Sequence, residues 1–232
     1  MNKINIAIDG HSSCGKGTLA RYLAKVLGYV MIDSGAMYRA VTLAAIRAGA
    51  DIHNESSLVA ILPGLDIAFR TNPTNGRSEL WLNGVCEEHN IRNMQVAAAV
   101  SAVSKHSAVR RFLVELQRKM GTDKGVVMDG RDIGTVVFPD AELKIFMTAA
   151  PEIRAARRLK ELQESGAAAT YEAVLENLNS RDAMDSSRTD SPLRMAEDAH
   201  LLDNSNLSIE AQSEIALGWA KEAIKRQQSR QV

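Results

Sequence analysis

The period of the hydrophobic pattern changes repeatedly along the chain. Lys3 to Asp9 (KINIAID) is a short apolar run rich in Ile, as a buried strand requires. Leu19, Leu23, Val26 and Leu27 then recur at helical spacing, and Gly28 stops that helix. Tyr29–Ile32 predicts a second strand ending at Asp33-Ser34-Gly35, and helical sequence resumes from about Ala36 to Ala48. Further strands are predicted at Gly125–Asp129, Leu143–Met147 and Ala199–Asp203. Residues 93–120 predict helix, as do Pro151–Ser165 and Tyr171 to about Met184. Ser208 predicts the cap of a last helix reaching about Lys225, with a polar tail, Arg226–Val232, that frays. Strands alternating with helices predict an α/β fold around a central parallel sheet.

Residues 64–89 follow another rhythm. Leu65–Phe69 and Glu79–Leu82 alternate as strands, with Asn75-Gly76 in the loop between them. Asn83-Gly84 then turns into Val85-Cys86, and Asn-Gly between apolar segments is a strong hairpin signal. The pattern predicts a small antiparallel insert with Cys86 buried or half-buried in it.

Charge narrows the function classes. Among 232 residues, 28 Lys+Arg balance 28 Asp+Glu. That balance argues against a nucleic-acid coat, a polybasic membrane binder or an acidic tail protein. A hydrophobic fraction of 45% can build a core, whereas 4% aromatic is too little for a base-stacking platform. No apolar run approaches the roughly 20 residues of a membrane span, and no signal peptide is visible. Two cysteines, Cys14 and Cys86, make no disulfide framework, so a cytoplasmic location is expected. The neutral total hides a skew of 18 Arg to 10 Lys. Arg offers a planar fork suited to phosphate and carboxylate, but lineage bias explains the skew equally well until the arginines are placed.

Gly10-His11-Ser12-Ser13-Cys14-Gly15-Lys16-Gly17-Thr18 lies between a predicted strand and a predicted helix. Gly, four residues, then Gly-Lys is the spacing of a phosphate-binding loop. Glycines let successive N–H groups point inward, and the helix start adds its positive end. Lys16 is placed to reach the terminal phosphates of a bound nucleotide as a movable charge. Gly17 stands between Lys16 and Thr18, the GKGT variant typical of nucleoside monophosphate kinases. Cys14 reads either as a small residue that fits or as a thiol activated by Lys16 and the helix start.

A second basic region follows from topology. Asp33-Ser34-Gly35-Ala36-Met37-Tyr38-Arg39 and Asp129-Gly130-Arg131-Asp132 each follow an apolar strand. In a parallel sheet both reach the ligand-binding rim. Asp33 and Asp129 are candidate Mg²⁺ ligands acting through water, or else turn and N-cap aspartates. Arg154, Arg157 and Arg158 can share one helix face, and Arg181 and Arg188 flank Asp185. Two phosphate-binding regions suggest transfer between phosphates. A phosphate acceptor needs no general base, because its second pKa is roughly 6.

With GKGT, DSGAMYR at 33–39, Ile91-Arg92, Ser101, Arg110, DGRDIGTVVFPDA at 129–141 and RDAMDSSR at 181–188, the chain resembles the bacterial cytidylate kinases over nearly its whole length. These belong to the nucleoside monophosphate kinase family of P-loop proteins. The resemblance implies a P-loop kinase fold that transfers the γ-phosphoryl of ATP to CMP or dCMP with Mg²⁺. It implies a core of 1–62, 105–150 and 185–226, a nucleotide-binding insert of about 63–104, a lid of about 151–184 and a tail of 227–232. It places Ser34, Ser101, Arg110, Asp132 and Arg188 at the cytosine, and Asp185 and Arg181 at the ribose and phosphate. Arg39 and Arg131 clamp the acceptor phosphate beside Tyr38, and Arg157 and Arg158 are lid arginines. Lys16, Arg131, Arg157, Arg158 and Arg181 are the expected catalytic set. The chemistry agrees: a carboxylate such as Asp132 suits the exocyclic amine of cytosine, and a guanidinium such as Arg110 suits its acceptors. His11 departs from a frequent Pro, Ser13 and Cys14 replace smaller or Gly residues, and 183–187 is less charged than in many members. Small-molecule partners, no nucleic acid, no membrane and a monomer are expected. A P-loop kinase for a sugar or shikimate-like hydroxyl, and a nucleotide-dependent switch or RNA-binding module, are the competing readings.

Overall fold

The computed structural model describes residues 3–164 and 166–229. Five parallel strands form the central sheet in the order β2-β6-β1-β7-β8: β1 Asn5–Gly10, β2 Val30–Asp33, β6 Val126–Gly130, β7 Leu143–Thr148 and β8 His200–Asp203. The central strand β1 is buried at every position, which explains its Ile-rich run between the buried polar residues Asn5 and Asp9. Its side chains divide between two cores. Ile4, Ile6 and Ile8 face α1 (Lys16–Leu27) and α8 (Ile209–Ser229). Ala7 faces the other layer, with α2 (Ser34–Arg47), α3 (Glu55–Val59) and α5 (Ser107–Met120).

A second sheet, β3 (Ile67–Thr71), β4 (Ser78–Leu82) and β5 (Val85–Cys86), is antiparallel. Asn83 (φ 50°) and Gly84 (φ 80°) are both left-handed, as a two-residue hairpin demands. Cys86 is a correction: it is exposed, because β5 is a two-residue edge strand whose partner β4 turns Leu80 and Leu82, not the Cys86 side, into the core. Its thiol leans on the Glu79 carboxylate at 3.6 Å.

Two element boundaries differ from expectation. The helix expected over 93–120 is split into α4 (Met94–Val103) and α5. Ser104 Oγ turns back to the Ser101 carbonyl, and the His106 ring contacts the Ile52 carbonyl at 2.9 Å. The last helix begins as predicted, with Ser208 Oγ accepting the Ala211 N–H, but it runs to Ser229 through good helix formers rather than fraying from Arg226. Residues 230–232 and Ser165 lie outside the described residues. Two further helices, α6 (Pro151–Glu164) and α7 (Tyr171–Ser187), bury Ala155, Val174 and Leu178 against each other. Among the described residues no helix is long and apolar enough to cross a membrane.

Candidate active site

The carboxyl ends of β1, β2 and β6 deliver the loops that build the site. β1 ends at Gly10 (φ 149°), where a Cβ would stand 2.1 Å from the Met147 carbonyl oxygen, so only glycine fits. The loop turns through Ser13 (φ 57°) and Gly15 (φ 90°) into α1. Among the described residues no side chain caps α1, whose N-cap is Gly15, so no side chain competes with an anion for its first amides. Lys16 Nζ donates to the carbonyls of Gly10 (2.9 Å) and His11 (2.6 Å). Burial, then the neighbouring Arg131 charge, lowers the Lys16 pKa. Cys14 is fully buried and its thiol donates to the His11 carbonyl at 3.0 Å, which favours the packing reading of that residue. His11 packs edge-on against Phe146.

A second cluster faces the loop from β2, β6, α5 and α7. Arg110 Nη2 donates to Asp132 Oδ2 at 2.6 Å, with both side chains under a tenth exposed. Tyr38 lies under the Arg110 guanidinium, 5.7 Å from ring centre to Cζ, and burial pushes its phenol up to about 12. Arg131 Nε donates to Asp185 Oδ2 at 2.6 Å, and Arg188 approaches the other Asp185 oxygen at 3.4 Å. Burial acts to raise Asp185, but Arg131, then Arg188 and Arg181, outweigh it and hold its carboxyl below the usual range. Ser34 is pressed against Gly130, where an added Cβ would meet Ser34 Oγ at 2.6 Å. Ser101 stands half-buried on α4, with its carbonyl bonded by Ser104. Arg181 is exposed on α7.

The two candidate cation ligands part company. Asp33 caps α2 through the Ala36 N–H (2.9 Å) and pairs with Arg39 (2.9 Å) and Arg92 (3.4 Å). Its carboxylate is therefore engaged on both oxygens. Asp129 is different. Its Oδ1 is buried with no hydrogen-bond partner among the described residues. Burial, then the Asp33 charge, raises its pKa to about 7. Its Oδ2 reaches the start of α1, 4.0 Å from where a Gly17 Cβ would sit. An orphaned acidic oxygen beside a phosphate cradle fits a hydrated cation. Among the described residues no three His, Cys, Asp or Glu side chains group as a complete metal set.

The three arginines of α6 go to different acceptors. Arg154 is buried, with Nε on the Ala149 carbonyl (3.0 Å) and Nη1 on the Ser12 carbonyl (3.3 Å) and on Asp182. Arg157 grips Asn204 at its side-chain and main-chain oxygens, both at 3.0 Å. Arg158 is exposed and pairs with Glu161. Helical spacing put these charges together, but α7 draws Arg154 to Asp182, the segment after β8 draws Arg157 to Asn204, and Arg158 pairs within its own helix.

Three supporting residues escaped the sequence reading. Asp9 accepts the N–H groups of Ile133 (2.8 Å) and Gly134 (2.7 Å), at the π-helical turn Ile133–Val137 that follows Arg131 and Asp132. An apolar strand ending in Asp was the available signal, since β1 shares it with β2 and β6. Asn204 Nδ2 donates to the Cys14 carbonyl (2.8 Å) and so braces the cradle from behind. Asp182 bonds the Ser12 N–H at 3.2 Å, and nothing in its local pattern separates it from an ordinary helix-surface aspartate.

Known proteins resemble this chain over most of its length. A family model described as Cytidylate kinase matches residues 6–222. A Cytidylate kinase of Parabacteroides distasonis is 55% identical over 97% of this chain and 99% of its own length. One of Bacteroides thetaiotaomicron is 55% identical over 92% and 95%, and one of Flavobacterium johnsoniae 51% over 97% and 99%. A solved but uncharacterized protein of Eubacterium ventriosum shares the fold at a TM-score of 0.52 and 10% identity, covering 94% of this chain and 99% of that one.

Proposed function

The chain belongs to the cytidylate kinase family, and we propose that it transfers the γ-phosphoryl group of ATP to CMP or dCMP, giving ADP and CDP or dCDP. The observation that carries the substrate reading is the buried Arg110–Asp132 pair beside Tyr38. It presents donors and an acceptor side by side, as cytosine requires at N3, O2 and N4. Uracil would oppose Asp132 with an oxygen, and unpaired buried groups cost about 1–3 kcal/mol each.

In this reading the amides at the start of α1 and Lys16 hold the donor phosphates. Lys16 leaves its carbonyl partners to follow the γ-phosphoryl. Arg39, Arg131 and Arg181 hold the acceptor phosphate, which attacks in line from an oxygen already ionised near neutrality. Asp185 fixes the Arg131 fork by its Nε, and Nη1 and Nη2, which rest on the Gly130 carbonyl (3.4 Å) and the Ser12 hydroxyl (2.8 Å), turn to the phosphate when it arrives. Arg157 and Arg158 meet the spreading charge once Arg157 leaves Asn204 and Arg158 swings away from Glu161 of its own helix; one such arginine is worth about 10³–10⁵ in rate in related chemistry. Asp129 would hold Mg²⁺ through water, and the ion would offset charge on the donor phosphates. The insert of about 63–104 and the lid of about 151–184 close over the site and exclude water. The chain acts as a monomer on these small molecules.

The test is a panel of CMP, dCMP, UMP, AMP and GMP with ATP and Mg²⁺, reading ADP release. CMP and dCMP should stimulate release far above the others. Equal stimulation by UMP, or stimulation by a sugar hydroxyl instead, would overturn the reading.

A further inference from the structure

Ser12 is held at each of its polar groups by a side chain from outside its loop. Its N–H donates to Asp182 Oδ1 at 3.2 Å, its carbonyl accepts from Arg154 Nη1 at 3.3 Å, and its Oγ accepts from Arg131 Nη2 at 2.8 Å. Asp182 Oδ2 in turn pairs with Arg154, which is almost fully buried. Arg131 uses its Nε on Asp185. Asp182 and Asp185 are three residues apart on α7, so they project from one face of a single helix. The contacts close a ring: the Ser12 amide, Asp182, one turn of α7, Asp185, Arg131 and back to the Ser12 hydroxyl.

We propose that Asp182 is a positioning residue that couples donor binding to acceptor binding through this ring, an inference that rests on the ATP:CMP reading above. A carboxylate on an amide of a phosphate loop is electrostatically awkward, since the donor brings several negative charges to the same loop. Arg154 offsets that charge, and its burial makes the pair short of water and strongly directional. Any shift of Ser12 as phosphate fills the loop acts on Asp182. The helix is stiff over one turn, so the shift acts on Asp185 as well. Asp185 sets the orientation of Arg131, which the proposed mechanism aims at the acceptor phosphate. One helix face therefore touches both halves of the reaction, and by linkage each nucleotide should tighten the other by the same factor.

A plain structural role for Asp182, neutralising buried Arg154, predicts something else: loss of stability with no change in coupling. The two are separated by measuring the affinity of a non-hydrolysable ATP analogue by calorimetry, with and without saturating CMP. The proteins are the wild-type chain, Asp182→Asn and Asp182→Glu. In the wild type CMP should tighten the analogue by about fivefold or more. In Asp182→Asn that factor should fall to near one, whatever the change in affinity in the absence of CMP. Asp182→Glu should recover part of the factor. An unchanged factor in Asp182→Asn, or equal weakening with and without CMP, overturns the proposal. A second measurement needs no substitution. In the wild-type chain, the analogue alone should slow hydrogen exchange in residues 10–16 and in α7 together; slowing in the loop only also overturns it. Absence of CMP-dependent ADP release by the wild type would instead remove the substrate reading on which the coupling rests.

Discussion

Arg110 and Asp132 form a pair closed to solvent, the guanidinium 2.6 Å from the carboxylate and the Tyr38 ring beneath it. Such a pair costs desolvation energy that burying two apolar residues would not. Its presence at the end of the loop after β6 makes sense if a polar ligand shares its donors and acceptors.

Asp132→Asn should therefore depress CMP turnover much more than ATP binding and erase most of the CMP over UMP preference. Steady-state kinetics with both acceptors reads this directly. Asp132→Ala should also destabilise the fold by about 3–5 kcal/mol, because Arg110 is left buried without a counter-charge. Urea denaturation measures that loss; a preference unchanged in Asp132→Asn would contradict the assignment.

Arg131→Ala should lower kcat by about 10³-fold while ATP affinity stays within a few-fold. The guanidinium contacts only the Ser12 hydroxyl of the donor loop, not its amides. Calorimetric titration with an ATP analogue, set beside turnover, separates the two effects. Near-normal turnover would remove Arg131 from the mechanism.

Gly130→Ala places a methyl group where 2.6 Å separates it from Ser34 Oγ. Ser34 sits at the proposed cytosine site, so the KM for CMP should rise by on the order of tenfold or more, with the KM for ATP little moved. Equal rises for both nucleotides would place Ser34 elsewhere in the mechanism.

Asp9 gives a pH prediction. Burial raises its pKa from 3.8 to about 6, against the pull of the Gly134 and Ile133 N–H groups. The folded chain thus holds a proton there that the unfolded chain releases, and stability through this group falls as pH rises from about 4 to about 6. Asp9→Asn lacks that slope. Its stability relative to wild type should rise across this window and level off above it, as measured by denaturant midpoints at each pH. A constant difference from pH 4 to 7 would contradict the burial of an ionisable Asp9.

The parts legible in the chain were those decided locally. The Ile4–Asp9 run, the GKGT loop, Asn83-Gly84 and the Ser208 cap each carry their own conformational reason, and each forms as read. The motifs also named most residues that the fold gathers around the Arg110–Asp132 pair. What stayed hidden was decided by partners distant in sequence. The break between α4 and α5 contains neither Gly nor Pro; it follows from the contact of His106 with Ile52. Arg154 looks like one of three charges on a helix face until Asp182, 28 residues on, pairs with it. Asp33 has the same strand-end signal as Asp129, but only the positions of Arg39 and Arg92 show that it is already paired.

The central claim is phosphoryl transfer between two nucleotides, and product stoichiometry tests it most directly. ³¹P NMR of the chain with ATP, Mg²⁺ and CMP should show ADP and CDP appearing in equal amounts, with no matching growth of inorganic phosphate. ADP accompanied by phosphate instead of CDP would show that water, not the CMP phosphate, is the acceptor, and would contradict the account.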